Sequence, residues 1–136
     1  MAAVLLVAVP GTALAATVEI KEIQYNPSGR DSGSNSSLNH EWIVIGNTGS
    51  HAIRLTGWTV REGRDRNVYE FPNFRLRAGE KAAIFTRTAN DTRHKLYWNR
   101  DEYVWNNTRD KAALKNRAGH VIDTCSYSGG GKLVEC

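Results

Sequence analysis

Helical periodicity is missing from the sequence: nowhere does an apolar stripe recur at helical spacing for three turns, which excludes a helical bundle. Motifs of the common enzyme classes are also absent. There is no GxSxG, no HExxH and no glycine-rich phosphate loop, so the local signatures of serine hydrolases, zinc proteases and nucleotide sites are not there. Long apolar runs are lacking too. The longest, Val4 to Val9, is too short for a bilayer, which takes about 20 residues, and no second one follows. Cysteine is limited to 2 residues, and neither lies beside the small-x-small site at Ala13-Leu14-Ala15, which argues against a lipid anchor.

What is there begins with an uncharged leader. Residues 1–16, MAAVLLVAVPGTALAA, have the apolar core and cleavage pattern of a secretory signal peptide, although a basic n-region is missing. The expected organisation is a signal peptide over 1–15 and one domain over 16–136, secreted into the extracellular space or held at the cell envelope. A chain of 136 residues with 40% hydrophobic and 24% charged content has room for one ordinary globular domain. Outside the cytosol an even cysteine count points to a disulfide, so Cys125 is expected to pair with Cys136 around Gly129-Gly130-Gly131. The 18 Lys and Arg against 14 Asp and Glu leave a formal charge of +4. A weak attraction to anionic polymers is compatible with that balance.

Alternation with period two runs through the rest of the chain. In HEWIVIGNTGSHAIRLTGWTVREGRDRNVYEF, residues 40–71, Glu41, Ile43 and Ile45 share one strand face and Trp42 and Val44 the other. Asn47-Thr48-Gly49-Ser50 then supplies a turn. Upstream, VEIKEIQYN changes phase, which predicts a bulge near Lys21-Glu22, and the polar stretch 30–39 reads as a mobile loop. Its Asp31, Ser32, Ser34 and Asn35 lack the closing bidentate Glu of a calcium loop. Strands are expected at 74–77 and 81–87, one helical turn within 88–95, and two closing strands joined by Arg117-Ala118-Gly119. About eight or nine short strands, each burying one face, make an all-β sandwich.

The ordered series EIQYNPSG (22–29), EWIVIGNTGS (41–50), IRLTGWTV (53–60), YEFP (69–72), LRAGE (76–80), LYW (96–98), VWNN (104–107) and KAALKNRAGHVIDTCSY (111–127) resembles the lamin tail domain. That module is immunoglobulin-like, and its secreted bacterial branch is the closer match. Glu62 stands where bacterial members tend to carry Asp, and Arg61, Arg64 and Arg66 make the next hairpin unusually basic. The resemblance implies a non-catalytic interaction module without cofactor, and a monomer is expected.

The candidates for chemistry are His40, Glu41, His51, His94, His120, Asp110 and Asp123, none at ligand spacing. His40 and Glu41 are neighbours on a strand and so point to opposite faces. The competing reading is a secreted metal-dependent hydrolase or nuclease whose site is assembled from distant residues. Two binding surfaces compete with that. Arg61, Arg64, Arg66, Arg75 and Arg77 on neighbouring stretches would form a basic patch for extracellular DNA or an anionic envelope polymer. Tyr97, Trp98, Tyr103 and Trp105 would stack on sugars or bases if exposed, but core packing is the better expectation for them. A third class of partner is a protein that pairs with a sheet edge.

Overall fold

The computed structural model of the chain describes residues 17–63 and 65–136. The leader expected over 1–15 and residue Arg64 lie outside these. In chain order the strands are β1 (Val18–Gln24), β2 (Trp42–Asn47), β3 (Ile53–Arg54), β4 (Thr59–Glu62), β5 (Asn67–Glu70), β6 (Arg75–Leu76), β7 (Lys81–Phe85), β8 (Lys95–Tyr97), β9 (Arg109–Lys115), β10 (Val121–Ser128) and β11 (Leu133–Glu135). One short helix, α1 (Asn35–Leu38), precedes β2. No helix among the described residues is long and apolar enough to cross a membrane.

Two sheets face each other. One has five strands in the order β11-β1-β2-β7-β8 and the other four in the order β10-β9-β4-β5, with a separate two-stranded ribbon of β3 and β6. All pairs are antiparallel except β7 with β8. The alternation seen in the sequence explains the layering. Ile43, Ile45, Ile84 and Leu96 of the first sheet and Val60, Tyr69, Ala112, Leu114 and Tyr127 of the second are buried in one continuous core. Burying a side chain of this size stabilises by about 1.5–3 kcal/mol, which is why the single apolar face of each sheet requires the other. This is the immunoglobulin-like sandwich that the sequence predicts.

Several local expectations hold. The register of β1 against β2 slips between Ile20 and Glu22, so a bulge carries the change of phase. In the β9–β10 turn, Gly119 has φ 86° and its N–H donates to the Asn116 carbonyl at 2.9 Å. Other expectations need correction. The described residues hold eleven strands rather than eight or nine; alternation misses β8 and β11, because three residues are too few to show a period. The stretch 30–39 is not a bare loop: Ser34 caps α1 by accepting from the Ser37 N–H at 3.2 Å, and Leu38 is buried. Residues 88–95 contain no helical turn; the segment runs as irregular chain into β8.

Cys125 and Cys136 form a disulfide with Cα atoms 5.7 Å apart. Since Cys125 is on β10 and Cys136 follows β11, the bridge joins the edge strands of the two sheets. Asp123 on β10 adds a polar link at the same side, accepting from the Ile20 N–H at 2.8 Å.

Candidate functional site

Asn47 fixes the ribbon in place. Its buried carboxamide donates to the carbonyls of His51 at 2.8 Å and Leu76 at 3.1 Å, while its Oδ1 accepts from the Gly49 N–H at 3.0 Å. Its backbone N–H and carbonyl bond Glu80 and Gly79, anchoring the turn after β6. With Leu55 and Leu76 wholly buried, the intervening positions face solvent. Arg54 and Arg75 are direct cross-strand partners, and Arg54, Arg75 and Arg77 are all exposed.

Arg75 and Arg77 line a groove of about 600 Å³ together with Phe74, Asn73, Thr92 and Arg93. Arg93 reaches in from the loop before β8. Its Nη1 donates to the Arg75 carbonyl at 2.8 Å, its Nη2 pairs with Glu80, and its guanidinium carbon lies 5.7 Å from the centre of the Phe74 ring. Glu80 also accepts from the Arg77 N–H at 2.8 Å. That bond first, and then the Arg93 charge, holds the Glu80 carboxyl below the usual carboxylate range. Glu80 thus serves Arg93 and the Arg77 N–H, with His94 3.6 Å away and the Arg77 charge acting on it at longer range. Among the described residues Arg54, Arg75 and Arg77 make no salt bridge, and Arg54 Nη1 donates only to Asn73 Oδ1 at 3.0 Å.

The other basic residues singled out in the sequence sit elsewhere. Arg61 on β4 pairs with Asp65 at 3.4 Å, and Arg66 pairs with Glu62 at 3.5 Å. Arg66 lines a second groove, of about 740 Å³, with Arg109, Lys111 and Asp110. That groove is electrostatically mixed. Burial first, and then the hydrogen bond that protonated Glu62 donates to the Asp110 carboxylate, raises the Glu62 pKa, while Asn67 and Arg66 oppose the rise. Arg61 and Arg66 thus do not share a groove with Arg75 and Arg77, and the ribbon lies outside the β4–β5 sheet. Sequence reasoning missed Arg54 and Arg93 altogether. The spacing of Arg54 and Arg75 has no local signature; only the pairing of β3 with β6 reveals it.

Of the aromatic cluster, Trp98 and Trp105 are core residues in edge-to-face contact, with ring centres 6.0 Å apart. Tyr97 stacks on Phe85 at 5.6 Å on the outer side of the first sheet, whereas the Tyr103 hydroxyl bonds Ser37. They do not form one platform. Glu41 is fully buried; its Oε1 accepts from the Thr86 hydroxyl at 2.6 Å and the Val104 N–H at 2.7 Å, and its Oε2 has no partner among the described residues. Burial, only partly offset by those bonds, pushes its pKa up to about 7. Asp110 and Asp123 accept backbone N–H groups, as structural carboxylates do. His94 lies 3.6 Å from Glu80, and Asp31 accepts from Asn107. Among the described residues no three or more His, Cys, Asp or Glu side chains converge as a metal site would require.

A comparison with curated proteins finds no match. A family model described as Lamin Tail Domain matches residues 12–129. Because the matched span covers most of the chain and every strand from β1 to β10, the ribbon included, the chain belongs to the lamin tail domain family.

Proposed function

We propose that the chain is an exported, monomeric, non-catalytic recognition module that binds anionic polymers of the cell envelope or extracellular space, nucleic acid among them. Residues 1–15 serve as its leader and 16–136 as the folded domain. The observation that carries the reading is the groove lined by Arg75 and Arg77, whose guanidiniums make no salt bridge among the described residues, the Arg77 charge reaching Glu80 only through space. Unpaired arginine forks are suited to bidentate phosphate or carboxylate groups. Family membership supports a module without catalysis, and the disulfide supports an oxidising compartment.

Retention of the full chain on heparin and on duplex DNA tests the reading. Micromolar or weaker binding that falls steeply between low and physiological salt is the expected outcome. Binding that ignores salt would sink it and favour a second reading, in which a protein strand adds to a sheet edge. Exposed Val68 on β5 and Val121 on β10, both edge strands, favour that second reading.

A further inference from the structure

We infer that the β3–β6 ribbon is the binding site itself, and that its ligand is the phosphodiester backbone of a polymer; this rests on the polyanion reading above. The first reason is a local conflict. Arg54 and Arg75 are directly opposite one another on a two-stranded ribbon, an arrangement in which like charges oppose pairing. Neither has a carboxylate within salt-bridge distance among the described residues, although Glu80 is close enough to serve Arg93. An acid at either position would turn the repulsion into attraction. Bound phosphate removes the conflict by inserting negative charge between the guanidiniums.

The second reason is how the ribbon is held. Arg93 spends its own fork on the Arg75 carbonyl and Glu80, so it acts as a positioning residue that fixes the backbone of β6. From the side of β2, Asn47 holds the Leu76 carbonyl. These two clamps fix β6, and exposed Arg75 on the strand and exposed Arg77 at the start of the following turn flank the buried Leu76. With Arg54 opposite Arg75, they make a compact group of exposed donors that successive anionic groups of a polymer can bridge. Discrete planar forks on a fixed backbone select phosphate oxygens over a diffuse negative surface. By contrast, Arg61 and Arg66 are already paired with Asp65 and Glu62.

The test measures binding of the full chain to duplex DNA, to poly(glycerol phosphate) and to heparin over a salt series. The variants are Arg75→Ala/Arg77→Ala, its charge-conserving counterpart Arg75→Lys/Arg77→Lys, and Arg61→Ala/Arg66→Ala as the comparison surface. The parent is expected to bind at least one phosphodiester polymer more tightly than heparin, and the better of the two identifies the source as nucleic acid or polyol phosphate. The Ala pair in the ribbon should weaken binding by roughly tenfold or more and flatten the slope of log affinity against log salt by about two, since each lost phosphate contact removes about one. The Lys pair should keep the slope and lose part of the affinity, because charge remains but the fork is gone. The comparison pair should stay within about twofold of the parent. Unchanged affinity in the ribbon Ala variant, equal losses in both Ala pairs, or stronger ribbon-dependent binding to heparin each overturns the inference while leaving polyanion binding standing. A parent that binds none of the three polymers overturns the polyanion reading itself. Melting curves of every variant separate lost contacts from lost fold.

Discussion

Replacing Glu41 by Gln should make stability less dependent on pH between about 4.5 and 7, by an amount the structure sets. The carboxyl is buried; its Oε1 accepts from Thr86 and the Val104 N–H, the Trp105 N–H adds a weaker backbone contribution, and its Oε2 has no hydrogen-bond partner among the described residues. Desolvation therefore dominates, and the nearby Asp31 charge adds to it. In the unfolded chain the group titrates near 4.5 and in the folded protein near 7, so the native state binds the proton more tightly. Stability from the protonated form is complete below about pH 4.5 and drains away as pH rises toward 7. At about 1.4 kcal/mol per tenfold difference in proton affinity, the loss is on the order of 3 kcal/mol. Gln keeps an oxygen for Thr86 and Val104 but carries no proton to lose. Urea denaturation at pH 4.5, 6 and 8 should show parent and Glu41→Gln nearly equal in acid, with the variant ahead by about 3 kcal/mol at pH 8. Taking the difference cancels other groups, such as Glu80, whose lowered pKa contributes stability that is lost as pH falls. A constant difference between the two proteins across that range would refute the reasoning. Glu41→Leu should instead destabilise at every pH, since a buried hydroxyl and N–H left unpaired cost about 1–3 kcal/mol each.

Three more outcomes follow from packing and backbone geometry. Mass spectrometry should find the chain two mass units, about two hydrogens, lighter than the dithiol form, and replacing both cysteines by Ser should lower stability by at most about 3 kcal/mol in a denaturant titration. Arg75→Glu should convert a repulsive cross-strand pair with Arg54 into an attractive one and raise the unfolding free energy by about 0.2–1 kcal/mol while weakening polyanion binding. Gly57 has φ 78° in the turn between β3 and β4, so Gly57→Ala should cost about 1–2 kcal/mol in the same titration, although only the flexible Arg117 side chain lies near the added methyl.

The legibility of the fold in the sequence divides along physical lines. Whatever depends on neighbours in the chain could be read: the inward Ile43 and Ile45, the bulge after Ile20, the Gly119 turn and the cysteine pair. Strands of three residues have no period to read, and β11 exists because the tail is held against β1. α1 arises where Ser34 caps a single turn and Leu38 finds the core, which polar composition concealed. The basic site was half visible. Arg75 and Arg77 stood out by spacing, but their partners Arg54 and Arg93 come from separate segments brought together by the β3–β6 pairing and by Glu80. The paired state of Arg61 and Arg66 likewise depends on where Asp65 and Glu62 point.

The Cys125–Cys136 bridge also decides how the domain carries tension. Strand β11 is held to β1 over three register pairs, whereas β10 is laced to β9 over seven. A pull applied at Cys136 passes through the sulfurs into β10 before it loads β11, so the covalent link bypasses the weaker seam and delivers force to the stronger one. Reduction reverses the order, and β11 peels first. In single-molecule pulling from residue 136, a short early extension should appear only with reductant present; its appearance without reductant would refute this load path. In the oxidised protein the tail is a tether with a built-in stop, and the chemistry of the surroundings sets the force the domain withstands.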